Sequence, residues 1–145
     1  MTTSWIAAFI ALAAGAAISL QSSLSGLIGR RVGILEASFL IHFSGLLVAS
    51  ALMLALRGGN LASWRTVPWY ALAAGALGVG IVAAISFTVP RLGLATTLTL
   101  TIVAQLLLGA ILDHVGWLGA GPRPLDATRA IGMGILLVGT WLVVR

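Results

Sequence analysis

The chain contains no cysteine, no lysine and only three acidic residues among its 145. The missing cysteines exclude disulfides, thiolate catalysis and cysteine-based metal sites. The acidic residues, Glu36, Asp113 and Asp126, stand at the ends of apolar stretches, so no stretch carries the buried carboxylate that would indicate a cation site. Glycine-rich phosphate-binding loops and the HExxH and GxSxG motifs are also missing from the sequence. We therefore expect neither an enzyme nor a primary pump, and we expect no cofactor and no metal ion.

Charged residues of any kind are scarce. They make up 8% of the chain, against 60% apolar residues, and the mean hydropathy is +1.14. This composition is typical of a membrane protein. The net charge of +5 comes from arginines that stand one or two at a time between apolar stretches, as residues that fix helix ends at the membrane interface do. We therefore expect the lipid bilayer, and not a nucleic acid, to be the partner of these arginines.

The hydropathy pattern predicts an all-α integral membrane protein with five transmembrane helices in a single transmembrane domain, residues 1–145. The first apolar stretch has no basic segment before it and continues well beyond the length of a signal peptide, so we interpret it as a retained span. The five tryptophans lie near predicted span ends, which is typical of interfacial residues. The predicted spans are about residues 5–28, 34–56, 67–89, 94–112 and 127–144.

The arginines divide equally between the two sides of the membrane. With five spans, Arg57, Arg65, Arg123 and Arg129 fall on the N-terminal side, and Arg30, Arg31, Arg91 and Arg145 fall on the other. Because orientation follows an excess of Lys and Arg in cytoplasmic loops, this chain carries no strong instruction for one orientation. One hypothesis is dual topology, with an antiparallel homodimer that resembles a ten-helix inverted-repeat transporter. One alternative is a single orientation set by a feature other than the arginine count. The other is that the number of spans has been miscounted.

A few polar side chains interrupt the predicted spans. Gln105 lies near the middle of the fourth span, Gln21 and Ser25 stand one helical turn apart in the first, and His42 lies within the second. Lipid offers such groups no hydrogen-bond partner, so each must face protein or a water-filled cavity. They are therefore candidates to line a substrate cavity, with helix-to-helix hydrogen bonding as the alternative. His42 could also couple transport to protons, because histidine changes charge near neutral pH.

Asp113 and His114 are adjacent where the fourth span ends. Neighbouring residues on a helix point about 100° apart, and no nucleophile accompanies the pair, so a catalytic dyad is not indicated. We interpret them as interfacial anchors or a gate. Asp126 stands just before the fifth span and is interpreted as a helix N-cap.

Several local patterns occur together along almost the whole chain: Gln21 with a polar residue one turn later, GRRVG at 29–33, PRLG at 90–93, Gln105, DHVGWLG at 113–119, and Arg129-x-x-Gly132. In this combination the chain resembles the YdcZ-like inner-membrane proteins of the drug/metabolite transporter superfamily. The resemblance implies a small bacterial inner-membrane transporter, similar to one half of the ten-helix members and related to the small multidrug resistance proteins, which work as antiparallel dimers. Ser25 stands where that family looks to have Asn, and Ala104 stands where a Gly is expected.

We therefore expect a secondary transporter that moves a small molecule by alternating access. Its cavity would be lined by Gln21, Ser25, His42 and Gln105. The alternatives are a passive channel, whose flux would not saturate, and an accessory subunit of a larger membrane complex. The first span lacks the buried glutamate with which small multidrug resistance proteins exchange protons for cationic drugs, so the substrate class of those proteins does not transfer to this chain.

Overall fold

Long apolar helices account for most of the chain in the computed structural model, which describes residues 2–56, 59–116 and 123–145. No strand occurs in these ranges. Five helical stretches are long and apolar enough to cross a membrane, α3 and α4 together forming the third, as the hydropathy predicted. In chain order the elements are α1 (Thr2–Val32), α2 (Ile34–Leu56), a 3₁₀ helix (Leu61–Thr66), α3 (Trp69–Leu72), α4 (Ala74–Leu92), α5 (Leu94–Val115) and α6 (Ala127–Val144).

Contacts divide the chain into two compact units, Met1–Arg91 and Leu92–Arg145. The first unit holds the first three spans, and the second is formed by α5 packed against α6.

Two of the predicted connections between spans are shorter than expected and consist of one glycine each. The sequence placed turns at residues 29–33 and 90–93, but α1 continues to Val32 and α4 continues to Leu92. At these two connections a single glycine, Gly33 or Gly93, separates the helices, with φ of 112° and 82°, a region that favours glycine. Glycine and proline within a span do not end it when neighbouring helices pack around the freed backbone.

The other span limits also differ in places from the predicted ones. The third span was placed at 67–89, but its helix begins at Trp69, directly after Pro68, and is interrupted at Ala73. The fourth was expected to end at residue 112, but α5 continues to Val115. Asp113 and His114 are therefore helical residues of α5, and not part of the connection that follows it. The last three residues of the DHVGWLG motif, Trp117 to Gly119, lie outside the described residues, as does Arg57.

Each unit buries small and polar residues and turns its large apolar side chains outward. Ser22, Ser25 and Ala37 are buried in the first unit, and Ala110 and Thr140 are buried in the second. The leucines, isoleucines and phenylalanines of the spans are mostly exposed. This distribution suits a lipid environment, where there is little hydrophobic drive between helices and close packing of small faces holds them together.

Candidate functional site

A polar contact joins the second and third spans around His42. Ser38, which is 1% exposed, donates its hydroxyl to the carbonyl of Val79 on α4 at 3.0 Å. One turn further along α2, Nδ1 of the half-buried His42 lies 2.8 Å from the carbonyl oxygen of Ser38. Because a carbonyl oxygen only accepts, Nδ1 carries the proton and donates it. The other ring nitrogen, Nε2, is directed toward Gly78 of α4.

Gln21 lies in a groove between α1 and α2. The groove has a volume of about 520 Å³ and is lined mainly by apolar side chains, with Gln21 and Ser44 as its polar residues. The hydroxyl of Ser44 donates to the carbonyl of Ile41 on its own helix at 2.9 Å. The amide of Gln21 is therefore the polar group that this groove offers to a ligand or to another protein.

Ser25 occupies a different environment from Gln21, although the two are one turn apart. Ser25 is 1% exposed, whereas Gln21 is exposed. Ser25 is thus packed among the helices of the first unit and does not line the groove.

Gln105 lies close to the middle of α5, and its side chain is exposed on the protomer. Thr99 and Thr101 donate their hydroxyls to the carbonyls of Ala95 and Thr97, each at 2.8 Å and within α5. The hydroxyl of Thr97 is buried without a hydrogen-bond partner among the described residues.

Asp113 and His114 connect the end of α5 to the start of α6. Asp113 Oδ2 accepts a hydrogen bond from Arg129 Nη2 at 2.9 Å, in an ion pair whose side chains are 34% and 40% exposed. Such an exposed pair stabilises by no more than about 1 kcal/mol. His114 Nδ1 accepts from the backbone N–H of Leu125 at 3.4 Å. The predicted N-cap is confirmed, since the Asp126 carboxylate accepts from the backbone N–H of Arg129 at 2.7 Å.

A pocket with two arginines in its lining, which the sequence did not indicate, lies at the end of α1 and α4. It is lined by Ser86, Arg30 and Arg91 with Gly29, Ile34 and Pro90, and has a volume of about 330 Å³. Ser86 could have been noticed because Pro90, four residues later, lacks the N–H that would donate to the Ser86 carbonyl.

The candidate residues separate by unit. Gln21, Ser25 and His42 belong to the first unit, and Gln105 with Asp113–His114 belongs to the second. Among the described residues, no group of three or more His, Cys, Asp or Glu side chains could hold a metal ion.

Five apolar helical stretches among the described residues, with small and polar residues buried within each unit, define a multi-pass helical membrane protein. The family model described as "Putative inner membrane exporter, YdcZ" matches residues 6–142, so the chain belongs to the YdcZ family. The resemblance inferred from the sequence is confirmed. The protein is therefore a multi-pass inner-membrane protein, and its family indicates a transporter rather than an enzyme. The search of curated proteins and the search of solved structures each found no significant match.

Proposed function

We propose that this protein is a small-molecule exporter that works as a secondary transporter by alternating access, in the form of an antiparallel homodimer. One observation carries the proposal. Gln21 and Gln105 lie within spans, are exposed on the protomer, and make no side-chain hydrogen bond within the described residues.

An amide that faces lipid loses its hydrogen bonds to water and gains none in return. Such a group costs several kcal/mol in a solvent that cannot hydrogen-bond. A second protomer and a water-filled cavity between the two protomers would together supply the missing partners. Gln21 and Gln105 would then face that cavity.

The equal division of arginines favours an antiparallel arrangement of the two protomers. Four arginines on each side allow insertion in both orientations. A pair of oppositely inserted copies reproduces the inverted repeat found inside many transporters, in which the substrate site lies near the middle of the bilayer and access alternates around it.

The groove beside Gln21 has the character of a small-molecule site. It is mainly apolar with one free amide, and pockets for small ligands combine an apolar lining with few polar groups that fix orientation. His42 would reach the cavity only when α2 and α4 separate during the cycle, because its Nε2 is directed toward Gly78. Ser25 would reach the cavity only when the helices of a protomer separate during the cycle, and Asp113 with His114 would gate one end.

Export is tested in energised everted inner-membrane vesicles incubated with a metabolite extract of the same cells. The vesicles carry either the wild-type protein or the Gln21→Leu/Gln105→Leu variant, and their contents are compared by mass spectrometry. We expect at least one solute to accumulate only in wild-type vesicles, with a rate that saturates with solute concentration. Identical contents in both sets of vesicles would contradict export through a cavity that these amides line.

A further inference from the structure

The pocket at the end of α1 and α4 combines positive charge with an unused hydroxyl group. Ser86 is 2% exposed, lines the pocket, and its Oγ has no hydrogen-bond partner among the described residues. Buried hydroxyls are normally paired, so the Ser86 hydroxyl beside the pocket has donor capacity that the described protein atoms do not use.

The two arginines of the pocket have free donors. Arg30 Nη2 donates to the carbonyl of Pro90 at 3.4 Å, and Arg91 Nη1 donates to the carbonyl of Phe87 at 2.6 Å. The Arg91 guanidinium also lies over the Phe87 ring, 3.6 Å from its centroid, which fixes its position at the pocket. Since a guanidinium carries five N–H donors, most of them remain available on each side chain.

No carboxylate neutralises these charges within the described residues, where the one ion pair joins Arg129 to Asp113. Glu36, on the first turn of α2, lines a separate surface groove with Phe39 and Leu40. The N-terminal end of α2, which begins at Ile34, also borders the pocket with its positive dipole end. The pocket is thus a region of positive charge without a carboxylate partner among the described residues.

We propose that this pocket binds a phosphate group. Two guanidinium groups and a hydroxyl match the three or four oxygens and the negative charge of a phosphate, whereas a single carboxylate has only two oxygens for these donors. Gly29 lets α1 and α4 approach each other closely beside the pocket, because a Cβ at this position would lie only 3.0 Å from Cβ of Ser86. The phosphate belongs either to a phospholipid headgroup, since the pocket lies at a span end, or to a soluble phosphate compound.

The proposal is tested with the purified full-length protein in two binding measurements. In the first, inorganic phosphate is titrated in detergent at constant ionic strength and thermal stabilisation gives the affinity. In the second, phosphatidylglycerol or phosphatidylcholine is titrated and bound lipid is counted by native mass spectrometry. Arg30→Gln, Arg91→Gln and Ser86→Ala are compared with Arg31→Gln, which removes the same charge from the adjacent residue that does not line the pocket.

We expect Arg30→Gln and Arg91→Gln each to weaken binding about tenfold or more, as the loss of a charge-assisted hydrogen bond does. Ser86→Ala weakens it by a smaller factor, and Arg31→Gln leaves it within about twofold of wild type. Binding of inorganic phosphate identifies a soluble source, and preference for phosphatidylglycerol without phosphate binding identifies the headgroup. The proposal would be overturned if the protein bound neither inorganic phosphate nor phospholipid. It would also be overturned if Arg31→Gln weakened binding as much as Arg30→Gln and Arg91→Gln. Both measurements are made without transport, so their outcome is independent of the export assay.

Discussion

Gly78 of α4 and His42 of α2 meet so closely that a β-carbon on Gly78 would lie 3.1 Å from Nε2 of His42. The histidine ring cannot move away freely, because Nδ1 is held by its hydrogen bond to the Ser38 carbonyl. The glycine is thus required by the polar contact between the second and third spans.

Gly78→Ala should therefore lower stability by about 1 to 3 kcal/mol through overpacking. The measurement is thermal denaturation of the purified protein in detergent. Gly75→Ala and Gly80→Ala are matched controls on the same helix, since nothing lies within 4 Å of a Cβ at either position. Adding His42→Ala to Gly78→Ala should remove most of the penalty, and strictly additive effects would contradict the contact.

Gly26 of α1 makes a comparable close approach to Val89 of α4. A Cβ on Gly26 would lie 2.8 Å from Cγ1 of Val89. The Val89 side chain cannot easily rotate away, because a valine in a helix strongly prefers a single χ1 rotamer. Gly26→Ala should destabilise by about 1 to 3 kcal/mol, and Val89→Ala in the same chain should restore much of that loss. Gly15→Ala, where a Cβ meets nothing within 4 Å, is the control. Equal effects at Gly15 and Gly26 would rule out this packing contact.

Cysteine accessibility tests whether the two glutamines face water. The natural chain has no cysteine, so single substitutions can be labelled without background. Gln21→Cys and Gln105→Cys should react with a water-soluble thiol reagent, because the reactive thiolate forms in water and not in lipid. Leu20→Cys and Leu108→Cys, exposed apolar neighbours at similar depth, should react at least tenfold more slowly. Comparable rates at all four positions would argue against a cavity.

Removal of the N-cap at the start of α6 should lower stability less than the two glycine substitutions. Asp126→Ala should cost about 1 kcal/mol, because the backbone N–H of Arg129 loses its acceptor, and Asp126→Asn should cost much less, because asparagine caps equally well. Thermal denaturation of the two variants under identical conditions measures the difference. If the two substitutions cost the same, the carboxylate acts through its charge and not as a cap.

Local signals in the sequence were sufficient for the helical class and for the boundary at Asp126, where a capping side chain marks the start of α6. They were misleading at Gly29 and Pro90, which read as turn residues. Gly29 instead allows α1 to approach Ser86 of α4, and Pro90 is accommodated in the last turn of its helix. Close approach between segments that are distant in sequence is not a local property. The sequence around each residue therefore indicated a turn, which is the usual local role of glycine and proline.

For the candidate site, the sequence could predict only which residue types are unusual within a membrane span. A histidine or glutamine within a span stands out by type, and the His42 ring does lie against Gly78 of another helix. The environment of Ser25 and the pocket at Ser86 depend on which helix faces which, and no spacing within one helix contains that information. The hydrogen bonds from the Thr99 and Thr101 hydroxyls to carbonyls four residues earlier are by contrast a local property, because any threonine within a helix can make them.

The most direct test of the antiparallel dimer is the topology of the whole chain. Two reporters are fused after Arg145, a fluorescent protein that matures only in the cytoplasm and a phosphatase that is active only outside it. Comparable activity of both is expected for the wild type, and Arg30→Gln/Arg31→Gln should shift the chain to one orientation, because the arginine count then favours the N-terminal side. Activity of a single reporter in the wild type would contradict the antiparallel homodimer.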